Sequence, residues 1–232
     1  MNIKFLTEPL TKFFYMVNGA IHTVIPNNDL SYGLAIIVFT IIVRMILLPL
    51  SVKQLRSTAK MGAIQPEMKK VQAKYKSDPQ KAQQEVMKLY KENGVNPMGG
   101  CLPMIVQMPI LFSLYAVFQH LNMHGAGFLW MHDLTKSDPL YILPILSTVT
   151  TYFSSKLMQP PSTDGAQSKQ TSTMNTVMAI FMGFMSLRFP GTLVVYWVIN
   201  NVIQIIQTVV INKIELNKKA DDVLLAGNKN NK

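Results

Sequence analysis

Long apolar stretches alternate with polar segments along this chain of 232 residues. Five stretches are close to the length that a membrane-spanning helix needs, because about 20 residues rising ~1.5 Å each match a hydrocarbon core of ~30 Å. We therefore predict an all-α membrane protein whose residues 30–211 form a core of five transmembrane helices. The predicted spans are, approximately, 31–50, 98–120, 140–158, 174–188 and 191–211.

The segment before the first span, residues 1–29, shows apolar residues at helical spacing. Glu8, Pro9 and Lys12 interrupt its apolar run and no small-residue cleavage site follows, so it is not typical of a signal peptide. The pattern predicts an amphipathic helix lying in the membrane interface and ending at the turn 26–29. The residues of the apolar stripe are Phe5, Leu6, Leu10, Phe13, Phe14, Val17 and Ile21.

Residues 51–97 are strongly basic, with ten Lys and Arg against four acids. Two apolar stripes at helical spacing flank Ser77-Asp78-Pro79, which is typical of an N-cap followed by a proline in the first helical turn. We expect a helical hairpin, and the positive-inside rule places it in the cytosol. Membrane topology and solubility are enough to explain the lysines. A binding surface for ribosomal RNA or acidic partners is an alternative that the sequence does not decide.

The remaining connections agree with this orientation. Residues 159–173 form a polar loop flanked by basic residues, whereas residues 122–138 hold only Lys136 as a basic group. Phe128 and Trp130 in that second segment are typical of membrane-interface aromatics. The basic tail 212–232 has no apolar pattern that would support a domain, so we expect a flexible cytosolic end. The predicted topology has the N-terminus outside and the C-terminus inside.

The composition is 49% hydrophobic with a formal net charge of +10. Nucleic-acid binding is disfavoured as the main role, because the positive charges cluster in loops beside the spans. Cys101 is the only cysteine, so an internal disulfide is excluded. The histidines near residues 120–132 lack supporting carboxylates, and we predict neither a metal nor another cofactor.

Arg44 is the one charged residue inside the first span. An arginine at such a depth costs about 2.5–3.5 kcal/mol on insertion scales and usually faces protein or water. Snorkelling is the alternative, because Ser51 lies only about 10 Å further along the helix axis. Thr40 precedes Arg44 by four residues and shares its helix face.

Other spans place polar side chains near the depth of Arg44. Gln107 and Gln204 each lie about seven residues from the predicted inner end of their span, and Thr151 lies at a similar depth. No Asp or Glu occurs in any of the five spans. We therefore expect Arg44 to be solvated by water in a half-depth groove open to the cytosol, not in a continuous pore. One face of the fifth span adds Trp197, Asn200, Gln204 and Gln207.

Three classes of function compete for such a groove. An intramembrane protease would need paired acids or a Ser/His arrangement that the spans lack, so we predict no enzyme. A small-solute transporter would more often show repeats, coupling acids or broken helices. A wet, positively charged groove could instead hold the polar, often acidic, outer segment of an incoming membrane protein and lower the cost of its passage.

Two motifs resemble a known family. The run 96–110, NPMGGCLPMIVQMPI, resembles the NPxxGCLPxxxQxPI signature of the YidC/Oxa/Alb insertases. The run 189–201, FPGTLVVYWVINN, is similar to the pattern of their last helix. Ile42-Val43-Arg44 and Tyr141-Ile142-Leu143-Pro144 resemble two further helices, so the resemblance covers about residues 30–212.

The resemblance implies a membrane protein insertase with a five-helix core, a cytosolic hairpin and a groove that holds one arginine. The groove role falls on Arg44 with Thr40 and Gln107 beside it, and our own interpretation adds Asn200 and Gln204. A hydrophobic slide for the passing segment is implied at Met108, Leu111 and Trp197.

The resemblance also implies partners and a location. The partners are nascent membrane proteins with acidic outer segments, the lipid bilayer, the Sec translocon, and the ribosome and signal-recognition machinery through the hairpin and tail. The location is the bacterial plasma membrane. Because no N-terminal cysteine is present, we expect the lipid anchor of Gram-positive-type members to be absent or removed, and we expect no large periplasmic domain of the Gram-negative type.

Overall fold

The computed structural model describes residues 4–96, 102–121, 123, 125–159 and 166–229, with side chains for 7–96, 107–119, 121, 123, 125–159 and 172–214. These residues form nine α-helices and no β-strand beyond one isolated bridge. The helices are α1 (Lys4–Val24), α2 (Asn28–Ile46), α3 (Leu48–Ala63), α4 (Gln65–Lys74), α5 (Pro79–Glu92), α6 (Leu102–His120), α7 (Ile142–Met158), α8 (Ala166–Ser186) and α9 (Gly191–Lys229).

The predicted N-terminal helix is present as α1, and the described part of its apolar stripe packs against protein. Phe14 is fully buried, and its ring lies 5.7 Å from that of Phe39 in α2 and 5.9 Å from that of Phe118 in α6. These side chains are therefore covered by neighbouring helices, and the location of α1 in the membrane interface stays a prediction.

The helix that carries Arg44 begins three residues before the predicted span and ends earlier, at Ile46. The Asn27 side chain caps its start by accepting from the Leu30 amide at 3.2 Å. Pro49 has no N–H to donate to the carbonyl of Met45, so the helix is interrupted at Leu47 and α3 begins with a proline in its first turn.

The basic segment contains the predicted hairpin, made of α4 and α5. Asp78 caps α5 by accepting from the Lys81 amide at 3.0 Å, and Pro79 is the first helical residue, which confirms the predicted turn. Ile64, Met68 and Val95 form a small apolar cluster between the helices. Tyr90 packs on this cluster, and burial raises the pKa of its phenol.

The five predicted spans correspond to helices α2, α6, α7, α8 and α9. Among the described residues, two helices are long and apolar enough to cross a membrane by length and composition: Asn28–Ile46, with a mean hydropathy of 1.9, and Gly191–Ile214, with 1.7. Many large apolar side chains of the bundle are exposed, a surface unlike that of a soluble monomer. On α7, α8 and α9 they include Ile145, Phe153, Val177, Ile180, Phe181, Phe184, Ile206 and Val209.

One end of the bundle, which we call the loop end, is covered by residues 121, 123 and 125–141. Phe128, predicted as an interface aromatic, is only 9% exposed and packs in the core against Gly33 of α2. Trp130 is half-buried, and its indole N–H donates to Asp138 at 3.0 Å. The interface prediction is thus wrong for Phe128, because this segment folds back onto the helices.

The chain beyond the fifth predicted span continues the last helix. α9 runs to Lys229, so the backbone of 212–229 is helical where we expected a flexible tail. The segment contains several Lys, Leu and Ala residues, which favour helix, and it follows a helix that is already nucleated. Residues 230–232 of the predicted tail lie outside the described residues.

Candidate functional site

The side chain of Arg44, on α2, points toward α9 and is only 8% exposed. Its Nε donates to Asn200 Oδ1 at 2.6 Å, and its Nη2 donates to Gln204 Oε1 at 2.9 Å. Asn200 and Gln204 are four residues apart on α9 and therefore project from the same face. The planar guanidinium fork matches two acceptors presented in this way.

These contacts correct part of the sequence-based expectation. We expected water to solvate Arg44, but two of its donors are satisfied by side-chain amides of a neighbouring helix. Both acceptors are neutral, so neither compensates the positive charge. The structure thus fixes the direction of the guanidinium without placing an acid against it in the described part of the chain.

The other two predicted groove residues, Thr40 and Gln107, form hydrogen bonds with groups other than Arg44. Thr40 is fully buried, and its hydroxyl donates to the carbonyl of Ile36 at 2.6 Å within α2. Gln107 of α6 donates from Nε2 to the hydroxyl of Tyr196 at 3.0 Å. Gln107 therefore contacts α9 through Tyr196 instead of contacting Arg44 directly.

A second polar network joins α7 to α9. The indole N–H of Trp197 donates to Thr151 Oγ1 at 3.0 Å, and Asn201 Nδ2 donates to the same oxygen at 2.9 Å. Asn201 also reaches Thr150 at 3.3 Å. Thr151, which sequence spacing placed in the layer of Arg44, belongs to this network. Asn201 and Tyr196 did not emerge as site residues, although each is adjacent to one that did.

The residues predicted for the hydrophobic slide lie on α6 and α9. Met108 is 38% exposed, whereas Leu111 and Trp197 are partly buried and line one narrow crevice. The crevice has a volume of about 10 Å³, enough for a single water molecule at most. α8 and the turn after it complete the lining with Met182, Ser186 and Phe189. Gln107 and Met108 belong to the signature motif, of which residues 97–101 lie outside the described residues.

The arrangement offers a buried, oriented cation inside an apolar helix bundle. Within the described ranges, no group of three or more His, Cys, Asp or Glu residues could hold a metal ion. The chemistry available at Arg44 is attraction and hydrogen bonding to an anionic or strongly polar group.

Comparisons with known proteins agree on one family. The model of the 60Kd inner membrane protein family matches residues 23–219. A membrane protein insertase YidC of Clostridium perfringens is 49% identical over 227 residues, covering 94% of this chain and 95% of the relative. The YidC of Clostridium acetobutylicum is 47% identical, covering 90% of this chain and 84% of the relative.

A solved structure shows the same fold. It is described as an active YidC insertase with its first transmembrane domain resolved, and it matches with a TM-score of 0.68 at 30% identity. The match covers 90% of this chain and 46% of the solved one, so this chain spans about half the length of that protein. On these matches, the chain belongs to the 60Kd inner membrane protein family, whose relatives are named YidC membrane protein insertases.

Proposed function

We propose that this protein inserts nascent membrane proteins into the bilayer and uses Arg44 as a transient partner for their polar outer segments. The observation that carries the proposal is the cation itself, 8% exposed and held by two neutral amides inside an apolar bundle. A charge buried without an acid among its described neighbours is costly, so its presence at this position favours a functional role. The relatives' name supports insertion over the alternative of solute transport.

The proposed topology has α2, α6, α7, α8 and α9 as the five spans, with the 30–211 core oriented by its charges. The basic hairpin would lie in the cytosol and the loop end outside. The exposed apolar side chains of α7, α8 and α9 support burial of these helices in lipid. The helix at residues 4–24 would pack on the outer part of the core, and the basic tail would extend into the cytosol.

The proposed mechanism needs no nucleotide. The outer segment of the client enters the polar half of the bundle from the cytosol, and Arg44 compensates its negative charge while it is inside. Asn200 and Gln204 keep the guanidinium oriented, and Thr40 and Gln107 border the same space. The apolar helix of the client moves along Met108, Leu111 and Trp197 toward lipid, which lowers the cost of crossing the hydrocarbon. Contacts of the hairpin and tail with the ribosome or signal-recognition machinery, and cooperation with the Sec translocon, are parts of the same proposal.

Site-specific photocrosslinking tests the proposed path. A photoreactive amino acid at Trp197 should crosslink to the transmembrane segment of a ribosome-bound nascent membrane protein. The matched control is Ile180, which is 60% exposed on α8 and projects from the side opposite Met182. Equal crosslinking at the two positions, or none at Trp197, would rule out a client path along this crevice.

A further inference from the structure

The attachment of α6 to the rest of the bundle differs from that of its neighbours. α6 packs on α1, and over shorter stretches on α9 and α3. Its contact with α1 includes the ring of Phe118 against Phe14, at 5.9 Å. α7 and α8, in contrast, pack closely together, with a hydrogen bond of 3.0 Å between Ser186 and Ser147. α9 therefore packs less extensively on α6 than on α2 or α7.

A single side chain of α9 contacts α6 at two levels. The ring of Tyr196 lies 6.5 Å from that of Phe118, and its hydroxyl accepts the hydrogen bond from Gln107 at 3.0 Å. Gln107 and Phe118 are eleven residues apart, which is three helical turns and the same face of α6. Tyr196 is 2% exposed, so it is enclosed between the two helices.

The crevice beside Tyr196 is closed in this structure. Leu111 of α6 and Leu193, Val194 and Trp197 of α9 line a volume of about 10 Å³. A helix with its side chains is about 10 Å across. A client helix can therefore follow this route only if α6 separates from α8 and α9, and the hydrogen bond between Gln107 and Tyr196 is a polar contact that this movement must break.

We propose that Tyr196 is a positioning residue whose hydroxyl, held by Gln107, latches α6 against α9 and keeps the client route closed at rest. The assignment of a client route rests on the proposed function. The contact between α6 and α9 can be tested without a client. Gln107 then has two states, bonded to Tyr196 at rest and released when a client is present. The ring of Tyr196 keeps its contact with Phe118 when the hydroxyl is removed, so the latch can be broken without deleting the core side chain.

Double electron–electron resonance on the full chain tests the latch. Nitroxides on cysteines at Phe112 of α6 and Val202 of α9, which are 53% and 38% exposed, report the distance between these helices in a Cys101→Ser background. Tyr196→Phe and Gln107→Leu should each add a population at longer distance. A second pair at Ile41 of α2 and Val202 should keep its distance, because the latch does not join those helices.

The matched control is Tyr115→Phe. It removes a hydrogen bond of the same chemistry, from Gln119 to the hydroxyl of Tyr115 at 2.6 Å, that stays within α6. The distance distribution of this variant should equal that of the unchanged protein. An unchanged α6–α9 distance distribution in Tyr196→Phe and Gln107→Leu would refute the latch. The same new population in Tyr115→Phe, or a simultaneous shift of the α2–α9 distance, would also refute it. Since no client is present, failure here is distinct from failure of the crosslinking test.

Discussion

The two halves of the bundle use polar groups in opposite ways. At the loop end, Asp138 is 4% exposed and accepts from the Trp130 indole, the Leu140 amide and the Leu143 amide at 3.0, 3.0 and 2.7 Å. In the half nearer the hairpin, the side-chain partners of Arg44 among the described residues are two neutral amides. A carboxylate with three donors rigidifies its surroundings, whereas an uncompensated cation costs stability.

Backbone contacts add to the order of the loop end. Loop-end carbonyls satisfy the first amides of α9: Lys136 accepts from Gly191 at 2.7 Å, and Leu134 accepts from Thr192 at 3.0 Å. Buried side-chain atoms without a partner among the described residues occur in both halves, at Thr192 Oγ1 near the loop end and at both polar atoms of Gln207 in the other half. The difference between the halves therefore lies in how Asp138 and Arg44 are bound, and we propose that client transit explains the uncompensated charge of Arg44.

The largest expected loss of stability comes from Gly33→Ala at the loop end. A Cβ at Gly33 would lie 1.9 Å from Cδ2 of Phe128, which is buried in the core. Overpacking of this kind should lower the free energy of unfolding by about 3 kcal/mol, measured by thermal or denaturant unfolding in detergent. Gly19→Ala in α1 is the control, because its Cβ meets nothing within 4 Å. Equal stability of the two variants would contradict this account of the loop end.

Asp138→Asn should have the next largest effect. The amide keeps the size of the side chain but replaces one charged acceptor with a donor that faces backbone N–H groups. We expect a loss of about 2 kcal/mol in the free energy of unfolding. Asp133→Asn is the comparison, since Asp133 is more exposed, although the Thr135 hydroxyl donates to it and lowers the pKa of its carboxyl. A larger loss for Asp133→Asn than for Asp138→Asn would be inconsistent with Asp138 as the organising group.

In the polar half, Asn200→Ala should reduce insertion more than stability. It removes the acceptor for Arg44 Nε and frees the guanidinium to adopt other directions. We expect about a fivefold lower rate of insertion into proteoliposomes, equivalent to about 1 kcal/mol. Asn212→Ala, at an exposed position of the same helix, should leave the rate unchanged. Equal rates for the two variants would show that orientation of Arg44 is unimportant.

Arg44→Lys should have the smallest effect on the same assay. The ammonium keeps the positive charge but loses the planar fork that engages Asn200 and Gln204 together. We expect about a twofold decrease in insertion rate, about 0.4 kcal/mol. A loss as great as that of a neutral substitution would mean that fork geometry, and not charge, is what the client requires.

The sequence predicts the helices well but not the side-chain partners. Hydrophobic periodicity and the Asp78-Pro79 cap depend on near neighbours, so they predict the hairpin turn correctly. The partners of Arg44 lie 156 and 160 residues away, and depth counted along separate helices gives no rotation about their axes. For that reason, depth along the helix predicted Thr151 near Arg44. In the structure, the rotation of α7 about its axis directs Thr151 to Trp197 and Asn201 instead.

The contacts of α1 and of Phe128 also depend on the folded bundle. An apolar stripe in α1 looks the same whether it faces headgroups or protein, and only the folded bundle shows Phe14 buried. The burial of Phe128 depends equally on the close approach that Gly33 allows. The helical extension of α9 continues a helix that is already nucleated, which the lack of an apolar face in residues 212–229 does not reveal.

The central claim is tested most directly by Arg44→Met with two clients that differ only in their outer segment. One client carries Asp and Glu there, and the other carries Asn and Gln at the same positions; insertion yield is measured at equal amounts of folded protein. We predict at least about a tenfold loss for the acidic client, little change for the neutral one, and a melting temperature that is unchanged or higher. Equal losses for both clients, or full retention for both, would contradict the proposed charge complementarity.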